Sequence, residues 1–346
     1  MGKPTTKDLA KAAGVSLATV DRVLNARAGV RQATVERVQK AIKDIGFVRD
    51  IAAANLARGK DYRLVFLLPD HDDEFLDLIQ TALHEANDSM AHERTSTSII
   101  RAPANDPHKV AALLDTLSAE QVDGVAVMAS ETPHVRDAIA RLTARGIPVV
   151  AFVSNQPSAE NAYFVGINNA AAGRTVGQLM ARFTGAAQGD VLVITESMQA
   201  RDSQERRLGF DAIMARYAPR LHVRPTMETY GDPARTAKII ATSLHNQPHV
   251  AGVYLMNHNI KKTMQAIGKF GTPEDTVIIG HELTPRTRAC LLMGEMDAVI
   301  TQDVGHLVRS SIRVLKAKIT QLGTVASQER IRIEIILREN MPEANG

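Results

Sequence analysis

At 346 residues, with 45% hydrophobic and 23% charged side chains and no low-complexity tract, the chain is long enough for several cores and too apolar to be largely disordered. Its one cysteine, Cys290, excludes an internal disulfide, and no Cys/His cluster has the spacing of a metal site, so neither metal nor cofactor is expected. The charge of +3 hides an asymmetry: residues 1–60 hold 12 Lys and Arg against 5 Asp and Glu, the rest 29 against 33, as in a polyanion-binding head on a mildly acidic body.

Met1 to Lys11 are polar and basic, without the apolar stretch of a secretory signal, and nowhere do about 18 apolar residues run together, so a cytoplasmic protein with no membrane partner is expected. Thr5 with Asp8 has capping-box spacing, Leu9, Ala10 and Ala13 make one apolar face, and Gly14 ends the helix. Ser16 caps a second helix that turns Val20, Val23 and Leu24 inward. A third, from about Gln32 to Ile45, carries the stripe Val35, Val38, Ile42 and Ile45 and stops at Gly46. Helices one and two make a helix-turn-helix whose second helix presents Leu17, Ala18 and Arg22 to base edges. Arg22 is the base reader, because a guanidinium grips guanine O6 and N7 bidentately.

The run Thr6 to Asn25, continued by Gly46 to Val48 and Ala52 to Gly59, resembles the headpiece and hinge helix of the lactose/galactose repressor (LacI/GalR) family. The resemblance implies DNA contacts from Thr5, Ser16, Leu17, Ala18, Thr19, Arg22 and Asn25, with Ala53 and Leu56 in a hinge whose leucine wedges into the minor groove. Asp21 stands where the family usually has Ser, and an acid there weakens contact with phosphate.

From Tyr62 the grammar is α/β, with short apolar runs separated by helical stretches. Strands are expected at 64–68, 97–100, 124–128, 149–153, 191–195, 252–256 and 277–280, spaced for βαβ crossovers and parallel sheets. The fold class is therefore α/β: an all-α helix-turn-helix headpiece plus two doubly wound subdomains, similar to the type I periplasmic-binding-protein fold. That resemblance divides the chain into a headpiece (1–48), a hinge and linker (49–61) and an effector and dimerisation domain (62–346). Within the last, one half takes about 62–165 and 304–326, the other 166–303 and 327–340, including a strand over Ile331 to Leu337. Ligand then sits at strand C-terminal ends, between the halves.

Six segments carry candidate roles. In the acidic loop Pro69 to Phe75, Asp72 is a candidate contact and Phe75 a candidate stacking platform for a sugar face, against a solvated loop and a core phenylalanine. In Gly166 to Gly173, Asn168 and Asn169 are helix caps in preference to ligands. The resemblance makes Arg206, in the run Glu205 to Phe210, the leading effector residue, and adds Asn257, Glu282, Gln302 and Asp303. Such mixed charge suits a neutral polyhydroxyl effector; a sugar phosphate or small acid stays open. His281 followed by Glu282 is no zinc motif, since no second histidine follows at the required spacing.

An enzyme on the same scaffold is the first rival, but the chain has no G-x-G-x-x-G, G-x-x-x-x-G-K-[ST], G-x-S-x-G or H-E-x-x-H, so no enzyme is expected. A transport receptor would need export. The expectation is a regulator, a repressor of carbohydrate genes, that binds a palindromic double-stranded DNA operator as a homodimer, or as a tetramer of paired dimers, and is released by a sugar, polyol or related metabolite. An activator, or a repressor that needs a co-repressor, is the alternative.

Overall fold

The computed structural model describes residues 4–24, 29–47, 61–159, 162–245, 249–256, 260–270, 275–321 and 323–343. The chain divides into two compact units, Met1–Asp61 and Tyr62–Gly346.

The smaller unit holds α1 (Thr6–Ala13), α2 (Leu17–Leu24) and α3 (Gln32–Asp44). Thr5 closes a capping box with Asp8, and Gly14 ends α1 at φ 60°, a conformation that costs a residue without Cβ little. The Ser16 hydroxyl accepts from the Thr19 amide at 3.2 Å and starts α2. Leu9, Ala10, Ala13, Val20, Val38, Ala41 and Phe47 close a core of their own. The third helix ends one residue before the expected Ile45, which has left helical geometry at ψ 1°.

The larger unit contains two sheets. The first is all parallel, in the order β2-β1-β3-β4-β5, from β1 (Tyr62–Pro69), β2 (Thr95–Ala102), β3 (Gly124–Val127), β4 (Val149–Phe152) and β5 (Tyr163–Val165). Period two sorts its central strand between two layers. Leu64, Phe66 and Leu68 meet α4 (Glu74–Met90) and the late helix α12 (Val304–Thr320). Val65 and Leu67 meet α5 (Pro107–Thr116) and α6 (Pro133–Ala144). Burial on both faces explains the unbroken apolar run that marked this strand.

The second sheet has the order β12-β11-β10-β9-β6-β7, with β8 beside β6. Its strands are β6 (Gly189–Thr195), β7 (Leu221–Val223), β8 (Met227–Glu228), β9 (Val250–Leu255), β10 (Val277–His281), β11 (Ala298–Thr301) and β12 (Glu334–Ile336). One face buries Val191, Val193 and Tyr254 under α7 (Asn169–Phe183) and α8 (Arg201–Tyr217). The other buries Leu192, Val253 and Ile278 under α9 (Pro233–His245), α10 (Lys261–Phe270) and α11 (Pro285–Met293).

Of the strand expected over Ile331 to Leu337 only β12 pairs, antiparallel to β11. Val153, expected to end β4, has instead left the strand at φ 61°. The strands β5, β7 and β8 have three residues or fewer, too short for an alternation to show. No helix among the described residues is long and apolar enough to cross a membrane.

Candidate functional site

In the smaller unit α2 turns Val20 into the core and leaves Ser16, Leu17, Ala18 and Arg22 exposed, with Thr19 half-buried. Leu17 is 49% exposed, a large apolar side chain with no core to enter. Thr5 and Ser16 already serve as caps, their hydroxyls bonded to Asp8 at 2.7 Å and Thr19 at 2.9 Å. Asn25, Ala53 and Leu56 lie outside the described residues.

In the larger unit a cavity of about 410 Å³ opens between the two sheets. Its walls are the segments just past the C-terminal ends of the strands: His71 and Asp73 after β1, Asn105 after β2, Ser130 to Thr132 after β3, Ser154 after β4, and Glu196, Ser197, Gln199 and Ala200 after β6. Asp202 and Ser203, in the first turn of α8, close the far side. Strand ends form the wall because the tight βα turns there expose polar backbone and side chains while the sheet behind stays apolar. A second compartment of about 690 Å³ adjoins it, sharing His71, Asn105, Glu196 and Tyr230 and reaching Lys261 and Lys262.

The sequence-expected effector residues distribute unevenly over this geometry. Asp72 is exposed and lines the outer compartment. Phe75 offers no stacking platform: it is fully buried in the core beneath α4, because Asp73, as N-cap, turns the chain into that helix and carries Phe75 inward. Arg206, 1% exposed, lies behind the cavity wall rather than on it, its Nε donating to Asn169 Oδ1 at 2.9 Å and its other terminus to the Met256 carbonyl at 2.7 Å. Of the two asparagines expected to cap α7, Asn168 does so, accepting from the Ala171 amide at 2.8 Å, whereas Asn169 is buried against Arg206. Glu282 and Gln302 are buried together, the amide of Gln302 donating to the carboxylate at 3.0 Å, and neither is on the cavity wall. Asp303 is exposed and caps α12 through the His306 amide at 2.7 Å. Asn257 lies outside the described residues.

The burial of Arg206 has a backbone cause. A Cβ on Gly209 would sit 2.1 Å from the Ala170 carbonyl oxygen, and one on Gly173 would sit 1.9 Å from that of Arg206. Glycine at both positions lets α7 and α8 touch backbone to backbone, which carries Arg206 against Asn169. The run Glu205 to Phe210 is thus a helix-packing device whose arginine ties Asn169, the first residue of α7, to the Met256 carbonyl just past β9.

Sequence reasoning reached the cavity only through the loop Pro69 to Phe75, which supplies His71 and Asp73, and passed over other residues that line it, among them Asn105, Ser130, Glu131, Asp202 and Tyr230. Their one legible signal was position, just past an apolar strand. Glu131 links the halves: one of its oxygens takes Arg201 at 2.9 Å and the other the Ser158 amide at 3.1 Å. Burial works against its charge, but the Ser158 and Arg201 bonds outweigh that and hold its carboxyl below the usual range.

Residues 64–323 match the periplasmic binding protein domain family and residues 5–50 the lacI family of bacterial regulatory proteins. The chain is 28% identical over 216 residues to the sucrose operon repressor of Streptococcus mutans serotype c, covering 62% of this chain and 63% of the relative, under two thirds of that protein's length. It is 22% identical over 341 residues to the transcriptional repressor PurR of Histophilus somni, covering 97% of this chain and 98% of PurR. Among solved structures, the fold is similar to GanP, a glucose-galactose binding protein from Geobacillus stearothermophilus, at TM-score 0.72 and 19% identity, over 82% of this chain and 100% of GanP. With the small helical unit, the two-sheet unit and both family matches in place, the chain belongs to the periplasmic binding protein domain family and carries, over residues 5–50, a domain of the lacI family of bacterial regulatory proteins.

Proposed function

We propose that this protein is a sequence-specific DNA-binding transcription regulator, no enzyme, whose DNA affinity changes when a small sugar or polyol enters the cleft of the larger unit. The observation that carries the reading is the combination in one chain of a helix-turn-helix with Leu17, Ala18 and Arg22 outward and a cavity between two sheets into which polar side chains at the strand ends project. The target is a palindromic operator of carbohydrate uptake or catabolism genes, bound in the cytoplasm by a homodimer or a tetramer of paired dimers, since one three-helix unit makes too few contacts to hold a site alone. Arg22 reads guanine, Thr5, Ser16 and Thr19 address phosphates, and Leu56 wedges between base steps. GanP is a glucose-galactose binding protein and the Streptococcus relative a sucrose operon repressor, which supports a carbohydrate effector.

In this reading Arg206, Glu282 and Gln302 position the effector site from behind, Asp303 fixes the start of α12 as its cap, and the cavity residues make the first contacts. Closure on the effector repositions the halves and releases the hinge from DNA, and by linkage operator DNA weakens effector binding by the same factor. Selection from random-sequence duplexes, repeated across a salt series and with a panel of sugars and polyols, tests it. Enrichment of a palindrome that one compound abolishes is the expected result; no enrichment under any condition sinks the regulator reading.

A further inference from the structure

Three of the eight residues of α2 are exposed: Leu17, Ala18 and Arg22. Among the described residues of the smaller unit, Leu17 is the one large apolar side chain left exposed, and the core of that unit closes without it. The helix does not depend on it either, since α2 is started by the Ser16 hydroxyl, which accepts from the Thr19 amide at 3.2 Å and lies 2.9 Å from the Thr19 hydroxyl. Leucine at this position keeps apolar surface in water with no return to the fold, so any contact that covers it is favoured.

The first turn of the second helix in a helix-turn-helix is the part that meets base edges in the major groove. Leucine has neither donor nor acceptor, so it cannot sense the amino, carbonyl and ring-nitrogen groups by which base pairs differ, and the C5 methyl of a pyrimidine is the one feature that it gains by covering. Ala18, equally without polar side-chain atoms, widens that apolar surface. Arg22 is then the one exposed side chain of α2 that can hydrogen-bond a base.

We infer that Leu17 is a methyl reader: each half-site sets a C5-methylated pyrimidine against it, and the protein takes thymine and 5-methylcytosine there alike while discriminating against uracil and cytosine. Uracil pairs as thymine does and lacks only the methyl. The methyl of 5-methylcytosine stands at the same place in the major groove as that of thymine, and the polar atoms that distinguish the two bases are ones to which leucine is blind. A half-site carrying cytosine at this position is consequently a weak site until that cytosine is methylated. This inference rests on the reading of the smaller unit as a DNA-binding headpiece.

The test is selection by the full-length protein from three random-sequence duplex libraries: one with ordinary bases, one with uracil in place of thymine and one with 5-methylcytosine in place of cytosine. The first is expected to enrich a palindrome with a thymine in each half-site, the second the same palindrome with no preference at that position, and the third thymine and 5-methylcytosine interchangeably there. On the enriched duplex, exchanging that thymine for uracil in one half-site should weaken binding about fourfold, the worth of one buried methyl. Leu17→Ser, at an exposed position that the core does not use, should bind the thymine and uracil duplexes equally, and Leu17→Met should keep the preference; should the serine variant bind neither duplex, the wild-type ratio decides. Identical palindromes from the thymine and uracil libraries, or a serine variant that still prefers thymine, overturn the inference while leaving the regulator intact. If no library yields an enriched sequence, the regulator reading and this inference fall together.

Discussion

Glu131 and Arg201 stand on opposite halves of the larger unit, one after β3 and the other opening α8, and their ion pair at 2.9 Å joins the halves at the cavity wall, to which Glu131 contributes. Arg201 is held from behind by Glu205 at 2.8 Å and Glu131 by the Ser158 amide, so neither side chain has to be ordered for the pair alone. The arginine side chain is 40% exposed and the glutamate 17%, which places the pair near the upper end of the range for surface pairs, about 0.5–1 kcal/mol. If the contact exists only when the halves are closed, its loss shifts the closed-to-open ratio by roughly two- to fivefold. Glu131→Gln, Arg201→Gln and the double variant form a cycle, read in effector affinity and in the radius of gyration by X-ray scattering. Each single change should weaken effector binding by that factor and expand the unliganded protein, and the double should cost no more than either. Additive effects, with coupling below about 0.3 kcal/mol, would refute the latch. Since, against the cost of burial, the Ser158 bonds and, after them, Arg201 hold the Glu131 carboxyl below its usual range, the stability they contribute together is present above the ordinary glutamate range and lost as pH falls through the depressed value.

Gly209→Ala should destabilise the larger unit by about 2–4 kcal/mol in urea unfolding, because a Cβ 2.1 Å from the Ala170 oxygen forces α7 and α8 apart; an unchanged midpoint would show that the helices part freely. Arg206→Met should cost about 2–4 kcal/mol by leaving the Asn169 and Met256 oxygens without their donor, so unaltered stability would move Arg206 from brace to ligand contact. Val153→Gly should cost about 1–2 kcal/mol less than Val150→Gly, as both remove a buried valine from one core but only Val153 sits at φ 61°; equal losses would mean that the conformation carries no strain. Arg22→Ala should cost about 1–3 kcal/mol at a specific operator and relax discrimination there, and unchanged ranking of operator variants would remove it as a base reader.

The fold was legible because its signals are local and repeated. Leu64 to Leu68, an unbroken apolar run, read as a strand and proved buried on both faces, and Thr5 with Asp8, Gly14 and Ser16 spell a helix, its end and the next start. The cleft was less legible because it is assembled from residues far apart in sequence. Glu131 acquires a role only through Arg201, 70 positions away, and Asp202 only through the cavity that both halves enclose. A resemblance transfers a residue type to a position but not its depth. Arg206 stands where the resemblance puts an effector residue, yet the glycines at 173 and 209 draw it into the helix crossing, and Phe75 is carried inward by the cap at Asp73.

The two sheets share one irregularity that bears on how the halves are coupled. In each, the strand before the link between halves ends in a non-glycine residue held left-handed, Val153 at φ 61° and Glu282 at φ 62°. Each donates its amide to the end of the neighbouring strand, Val153 to the Val165 carbonyl at 3.0 Å and Glu282 to that of Ile300 at 2.8 Å. Those neighbours, β5 and β11, are the strands from which the chain passes to the other half. A valine gains nothing from that conformation on its own account, so the constraint comes from the linking strands, which must be gripped at the same height in both sheets. The burial of Glu282 then follows from the fold: once its backbone is turned to hold Ile300, its carboxylate lies beside Gln302 and Thr301 at the root of the link to α12, within 3.4 Å of both. On the proposal that the cleft takes an effector, a residue so placed acts through the backbone of the link and not by touching ligand, so Glu282→Gln should change the affinity for every ligand of a titrated panel by a similar factor, and a changed preference among them would refute this.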